Sequence, residues 1–268
     1  MKVTLIISLL LYNILCYGQD NCFIYPEGSG NRKACELSYK AIELSQGSKE
    51  SQLIFDAAIA IGPEYAWTYY EKSVPYFKRG FLTQGLHILN KAVKLKPLDY
   101  LCYRAYWYWQ YQNYNLCIQD LETYYSLPKS YQQFTPGGEK DMRLILGLAY
   151  AKNNKYAKAI KTIEDCINSY ESEDDIGLAD YHSLGILYLK NKQYDNAINT
   201  LTKQLAIYDM IPDSYFFLGL AYKGVSDFKQ AQVQFNQALI MFKDDQRYPN
   251  PNAGFRIYAS DVEKEIDK

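Results

Sequence analysis

His87 and His182 are the chain's two histidines, and they stand far apart in it. Neither has cysteines or carboxylates beside it at the spacing of a metal site or of a nucleophile–base pair. The glycine-bearing stretches EGSG (27–30) and PGGEK (136–140) lack the ordered lysine and hydroxyl of a phosphate-cradling loop. The acidic run ESEDD (171–175) lacks the spaced oxygen ligands of a calcium loop and reads as a solvated turn that opens the next helix. The sequence therefore predicts no enzyme activity, no metal and no cofactor. Its chemical surplus is aromatic instead: 28 tyrosines, 11 phenylalanines and 3 tryptophans. Tyrosine joins a large, stiff contact area to a polar tip, which suits helix packing and binding surfaces alike.

Charge excludes another class. The chain has 29 basic and 30 acidic residues, whereas a general nucleic-acid binder carries a basic excess. The first residues form a separate segment. Lys2 precedes an apolar run from Val3 to Cys16, interrupted by Thr4, Ser8 and Asn13, and then come Tyr17, Gly18, Gln19 and Asp20. This pattern is that of a secretory signal peptide, residues 1–18, cleaved after Gly18. An uncleaved anchor and lipidation at Cys16 are the competing readings, but the run is shorter than the roughly 20 apolar residues of a spanning helix. Export would put the mature chain in a periplasmic or extracellular setting, with no transmembrane segment. Five cysteines would remain: Cys22, Cys35, Cys102, Cys117 and Cys166. Their odd number leaves at least one thiol unpaired within a monomer. Cys22 and Cys35 flank one short loop and are the first pair to expect in a disulfide; the other three read as small buried apolar residues.

The elements that would carry a binding surface are written as a repeat. LGLAY occupies 146–150 and again 218–222, with LGILY at 184–188. Twelve residues after each glycine comes an alanine (Gly147 to Ala159, Gly185 to Ala197, Gly219 to Ala231), and four after that a large residue, Ile163, Leu201 or Phe235. Such spacing implies two helices joined by a polar turn, with small residues where they cross closely; Ala238 continues the series. Tyr156, Tyr194 and Phe228 follow the turns as expected aromatic plugs. Ser73, Gly85 and Ala92 form an earlier round, Ala105 and Cys117 the next, and Tyr39, Ser51, Phe55 and Ala58 a degenerate first one.

The pattern resembles the tetratricopeptide repeat, whose period is about 34 residues and whose signature includes L-G-x2-Y, A-x3-F and P. The intervals between first small positions run 73 to 105, 105 to 147, 147 to 185 and 185 to 219. The resemblance covers about residues 31–243, and residues 46–80 also look like exported bacterial repeat proteins of unknown role. It implies an all-α superhelix, a solenoid of five to six helical hairpins plus a C-terminal capping helix. Helix pairs are expected at 31–45 with 49–61, 64–78 with 82–95, 98–111 with 114–126, 139–152 with 155–170, 176–190 with 193–208 and 212–223 with 227–243. Residues 19–30 read as a loose lead-in and 128–138 as an inserted loop and hinge. Residues 244–268 read as a linker followed by a helix near 255–266.

In the family the first helix of each pair lines a groove. Carried onto this chain, the groove positions include Trp67, Tyr70, Phe77, Tyr106, Trp109, Lys152, His182, Lys190, Phe216 and Lys223. The aromatics either anchor a ligand or pack between repeats. Lys152, Lys190 and Lys223 close consecutive first helices; they either meet an acidic or C-terminal group of a peptide or simply favour the helix dipole. The lysine–asparagine clamp that some members use for acidic chaperone tails is absent, its positions holding Tyr70 and Val74, Cys102 and Tyr106, Leu144 and Leu148, His182 and Ile186, and Phe216 and Leu220. The expected role is a non-catalytic protein- or peptide-binding scaffold of the bacterial cell envelope, the alternative being a structural subunit that binds through its outer face or ends.

Overall fold

A computed structural model describes residues 21–243 and 255–267. The segment read as a signal peptide and the linker 244–254 lie outside the described residues. The described residues form thirteen α-helices and two short 3-10 turns. None of these helices is long and apolar enough to cross a membrane. By its contacts the chain divides into two compact units, Met1–Leu95 and Lys96–Lys268.

In the first unit, a 3-10 turn at Cys22–Ile24 precedes α1 (Gly30–Ile42), α2 (Lys49–Ile61), α3 (Ala66–Lys78) and α4 (Leu82–Leu95). Helix α1 pairs with α2, and α3 with α4. Ser29 and Ser48 start α1 and α2 by accepting the N–H groups of Arg32 and Ser51. The lead-in is not loose. Cys22 and Cys35 form a disulfide with a Cα–Cα distance of 5.5 Å, and both lie in a core cluster with Ala34, Ala58, Tyr65 and Trp67. The Arg32 guanidinium sits 4.0 Å above the Phe23 ring and donates to the Cys22 carbonyl. The expected disulfide and an unforeseen cation–π contact thus hold the lead-in.

The second unit contains α5 (Pro97–Gln110), α6 (Tyr114–Ser126), α7 (Met142–Lys152), α8 (Tyr156–Ile167), α9 (Asp180–Lys190), α10 (Tyr194–Ile207), α11 (Pro212–Gly224), α12 (Phe228–Lys243) and α13 (Ala259–Ile266). Four hairpins stack so that α5, α7, α9 and α11 neighbour one another in turn, while α13 packs on α12. Pro97 and Pro212 begin α5 and α11, where the missing N–H would lack a helical partner anyway. The acidic stretch forms a 3-10 turn, Glu173–Asp175, capped by Ser172.

Five of the six hairpin turns share one backbone solution. Gly80, Gln112, Asn154, Lys192 and Ser226 all have positive φ, between 58° and 84°. The N–H of the next residue in each case returns to the carbonyl of Tyr76, Tyr108, Tyr150, Tyr188 or Tyr222. This is the six-to-one bond of a left-handed helix stop. The recurrent tyrosines therefore mark the last turn of α3, α5, α7, α9 and α11.

The small repeat positions named above are all buried. A Cβ added at Gly147 would lie 2.4 Å from Ile163 Cγ1, one at Gly185 2.5 Å from Leu201 Cγ, and one at Gly219 2.6 Å from Phe235 Cε1. The large residue of the second helix is thus seated in the hole left by the glycine of the first. At the earlier hairpin the roles invert, and Gly85 of α4 receives Phe77 of α3.

Two sequence expectations need correcting. Tyr194 lies against Gly224, at the end of the next hairpin's first helix, so this aromatic fills space beside the following repeat. Phe228 begins the last hairpin's second helix, has no following repeat, and is 63% exposed. Nor is the loop 128–138 a hinge. It lies inside the second unit and is tied down: the Thr135 N–H donates to the Lys140 carbonyl (2.8 Å), Tyr131 exchanges hydrogen bonds with the Tyr124 hydroxyl, and Gln132 donates to Asp141.

Candidate functional site

The candidate groove residues separate by burial. In the first unit, Trp67 packs into the disulfide cluster with Tyr39 and Tyr65, and Phe77 fills the Gly85 hole. Tyr70 is half-buried, and burial pushes its hydroxyl up to about 12. Trp67 and Phe77 are interior packing. In the second unit, Trp109 is buried and packs at a tilt against Tyr114, with ring centroids 5.4 Å apart, while Tyr106 stays half-exposed against Trp107.

His182 is a correction to the groove assignment. It is 0% exposed. Its backbone N–H donates to Gln204, and its Nδ1 lies 2.8 Å from Ser214 Oγ. Burial pushes the imidazole down to about 4, so the ring is neutral and joins α9 to α10 and α11. Asp180, also buried, opens α9 by accepting the Gly177 N–H. Burial raises its carboxyl to about 6; the Gly177 and Tyr170 hydrogen bonds oppose that, and Asp141 adds to it.

These two groups act oppositely on stability. The unfolded chain protonates His182 first, so that contribution is complete above about pH 6.5 and is lost as pH falls toward about 4. The folded chain protonates Asp180 first, so stability is gained as pH falls from about 6 toward 4. Asp180→Asn should uncover the histidine term. Between pH 7 and 4.5 the variant should lose about 2 kcal/mol more than wild type, read from urea unfolding midpoints. Identical pH slopes would contradict this assignment.

Lys152, Lys190 and Lys223 have a common set of contacts: the chain's own C-terminal segment. The Phe255 ring centre lies 5.4 Å from Lys152 Nζ and 5.4 Å from Lys190 Nζ, within cation–π range of both. The Ile257 N–H donates to the Asp213 carboxylate at 3.2 Å. Lys223 Nζ pairs with Glu265 at 2.6 Å. Ile257 and Val262 are buried in one cluster with Ile186 and Phe216, and Leu189, Leu220, Phe255 and Ile266 pack against it. Burial, and then the charge of Lys190, hold Lys152 below the ordinary lysine value. The first-helix face of α7, α9 and α11 thus offers aliphatic and aromatic floor residues, two converging cations, a carboxylate that accepts a peptide N–H and a third lysine that pairs with an acid.

Sequence reasoning missed this arrangement because Phe255 and Glu265 lie beyond the repeat. The usable signal was the apolar pair Phe255 and Ile257 after a polar linker. Other polar groups were missed as well. Arg104 makes a two-pronged ion pair with Asp120 at 2.7 and 2.8 Å, and Arg143 makes another with Asp141. Cys102, Cys117 and Cys166 are free and buried, and burial pushes their thiols up. Among the described residues, no group of three or more His, Cys, Asp or Glu is placed to hold a metal ion.

The fold is an all-α solenoid of helical hairpins with a terminal helix, and residues 141–173 and 181–209 each match a family model for the tetratricopeptide repeat. Among solved structures the chain is similar to YrrB, described as "a TPR protein with an unusual peptide-binding site", at 14% identity over 78% of this chain and 97% of that one, with a TM-score of 0.58. It is also similar to MamA (21% identity, 70% and 97% coverage, TM-score 0.58). A third likeness is to the C-terminal part of a TPR repeat-containing protein from Cytophaga hutchinsonii (16% identity, 80% of each chain, TM-score 0.57). At these identities the likeness is one of fold. No curated protein matches the chain significantly.

Proposed function

We propose that this chain is a non-catalytic scaffold, exported to the cell envelope, that holds an extended peptide or protein segment on the first-helix face of α7, α9 and α11. One observation carries the reading: that face already holds a peptide segment through a ring, a backbone N–H and a carboxylate. A preformed helical surface loses little ordering entropy on binding, which favours such a role. The description of YrrB as a peptide-binding repeat protein agrees with it. The Cys22–Cys35 disulfide suits an oxidising compartment outside the cytoplasm.

A second reading, a structural subunit bound through the outer face, is favoured by the exposed Phe228, Val233 and Ile240 on α12. A photoreactive residue placed at 152 or 190 in the native cell, compared with one at the exposed Lys161 on α8, separates the two. The scaffold reading expects partner adducts from 152 and 190 and none from 161. Adducts from 161 alone would transfer the activity to the outer face. Alanine at Trp67 or Trp109 is a poor test, because both are buried.

A further inference from the structure

Resting on the scaffold reading, we infer that residues 255–267 are an internal ligand, which a partner peptide of the same chemistry displaces. That chemistry is an aromatic side chain, an aliphatic side chain two residues on, and a carboxylate further along.

A purely structural cap explains part of this segment. Helix α13 packs on α12, and Val262 is buried. A cap of the last hairpin has no need of the two earlier ones, yet Lys152 of α7 and Lys190 of α9 both converge on Phe255. Phe255–Tyr258 carries no helix or strand, and its Ile257 N–H is satisfied by a side chain of α11. This is how a groove reads an extended peptide: side chains of the host take the ring, the backbone and the acid.

Eleven residues separate Lys243 from Phe255. A released tail stays covalently joined to the chain, so its rebinding is intramolecular. A partner must outcompete it, so the tail sets a threshold for binding.

The test uses the full chain with a site-specific protease sequence inserted in 244–254, and a fluorescent peptide of residues 253–268 as probe. After cleavage and gel filtration, anisotropy should show saturable peptide binding at least tenfold tighter than to the uncleaved chain. A peptide with Phe255→Ala, or a Lys152→Ala/Lys190→Ala host, should bind at least tenfold more weakly. The uncleaved Phe255→Ala chain should take up the wild-type probe with intermediate affinity, which checks the idea without removing the tail. Three results would overturn it: a cleaved tail that does not exchange, loss of far-UV helical signal beyond that of α13 when the tail leaves, or equal probe binding before and after cleavage. A dimer of the uncleaved chain that cleavage converts to monomer would assign the tail to a second copy instead. In-cell adducts at 152 and 190 with a non-exchanging tail would sink this inference and leave the scaffold standing. Exchange without those adducts would leave a detachable tail but overturn the scaffold reading, and with it the partner that displaces the tail.

Discussion

Gly185→Val should destabilise the second unit by about 3 kcal/mol, the upper end of the cost of overpacking a filled core. The first added carbon would lie 2.5 Å from Leu201 Cγ and 2.8 Å from Leu201 Cδ2. In an open helix, replacing glycine gains helix propensity, worth at most about 1 kcal/mol, so here the clash decides the sign. Leu201→Ala alone should cost about 2–5 kcal/mol through a cavity. In the double variant the new valine occupies part of that cavity, and the combined loss should fall well short of the sum. Urea unfolding of the four proteins measures this. Additive losses would mean that the glycine is not the socket for that leucine.

The second large effect belongs to the lead-in. Cys22→Ser/Cys35→Ser should cost the first unit about 3 kcal/mol, the value for opening a loop of this size. Hydrogen exchange of α1 amides, with α8 amides as internal standard, localises the loss. Unchanged protection of α1 would show that the surrounding cluster of Ala34, Ala58, Tyr65 and Trp67 holds the segment without the bond.

The fold was legible because the repeat is a statement about volume. A glycine, then an alanine, then a large residue at fixed intervals is the trace of one side chain seated in another helix's hole. Gly147 with Ile163, Gly185 with Leu201 and Gly219 with Phe235 are three copies of that trace. The tyrosine of each phrase was equally legible in position. Its backbone role, accepting the return hydrogen bond of the turn, was not, because carbonyls leave no mark on residue type.

The candidate site was legible only in part. The three lysines stood out because each closes a first helix, but their contacts come from outside the periodic region. Periodicity predicts what a helix shows its neighbouring repeat; it is silent about a segment that packs once. His182 illustrates the opposite failure. Its groove register is the family's, yet the ring points into the core, where Ser214 and Gln204 meet the residue. Trp67 and Trp109 fail for a related reason: groove register does not distinguish a large aromatic lying across the surface from one sunk between helices. Disulfide pairing was readable from the short loop, whereas the order it imposes on the lead-in depends on Arg32 folding back over Phe23.

The central claim is that the face of α7, α9 and α11 is a peptide site held reversibly by the chain's own C-terminus. Native-state hydrogen exchange on the full chain tests it most directly, since local opening and global unfolding give different protection. The Ile257 amide and those of α13 should exchange at least a hundredfold faster than those of α11 and α12, and faster still when the 253–268 peptide is added in excess. Exchange of the tail at the same rate as α11 and α12, unmoved by the peptide, would make it part of the core and contradict the account.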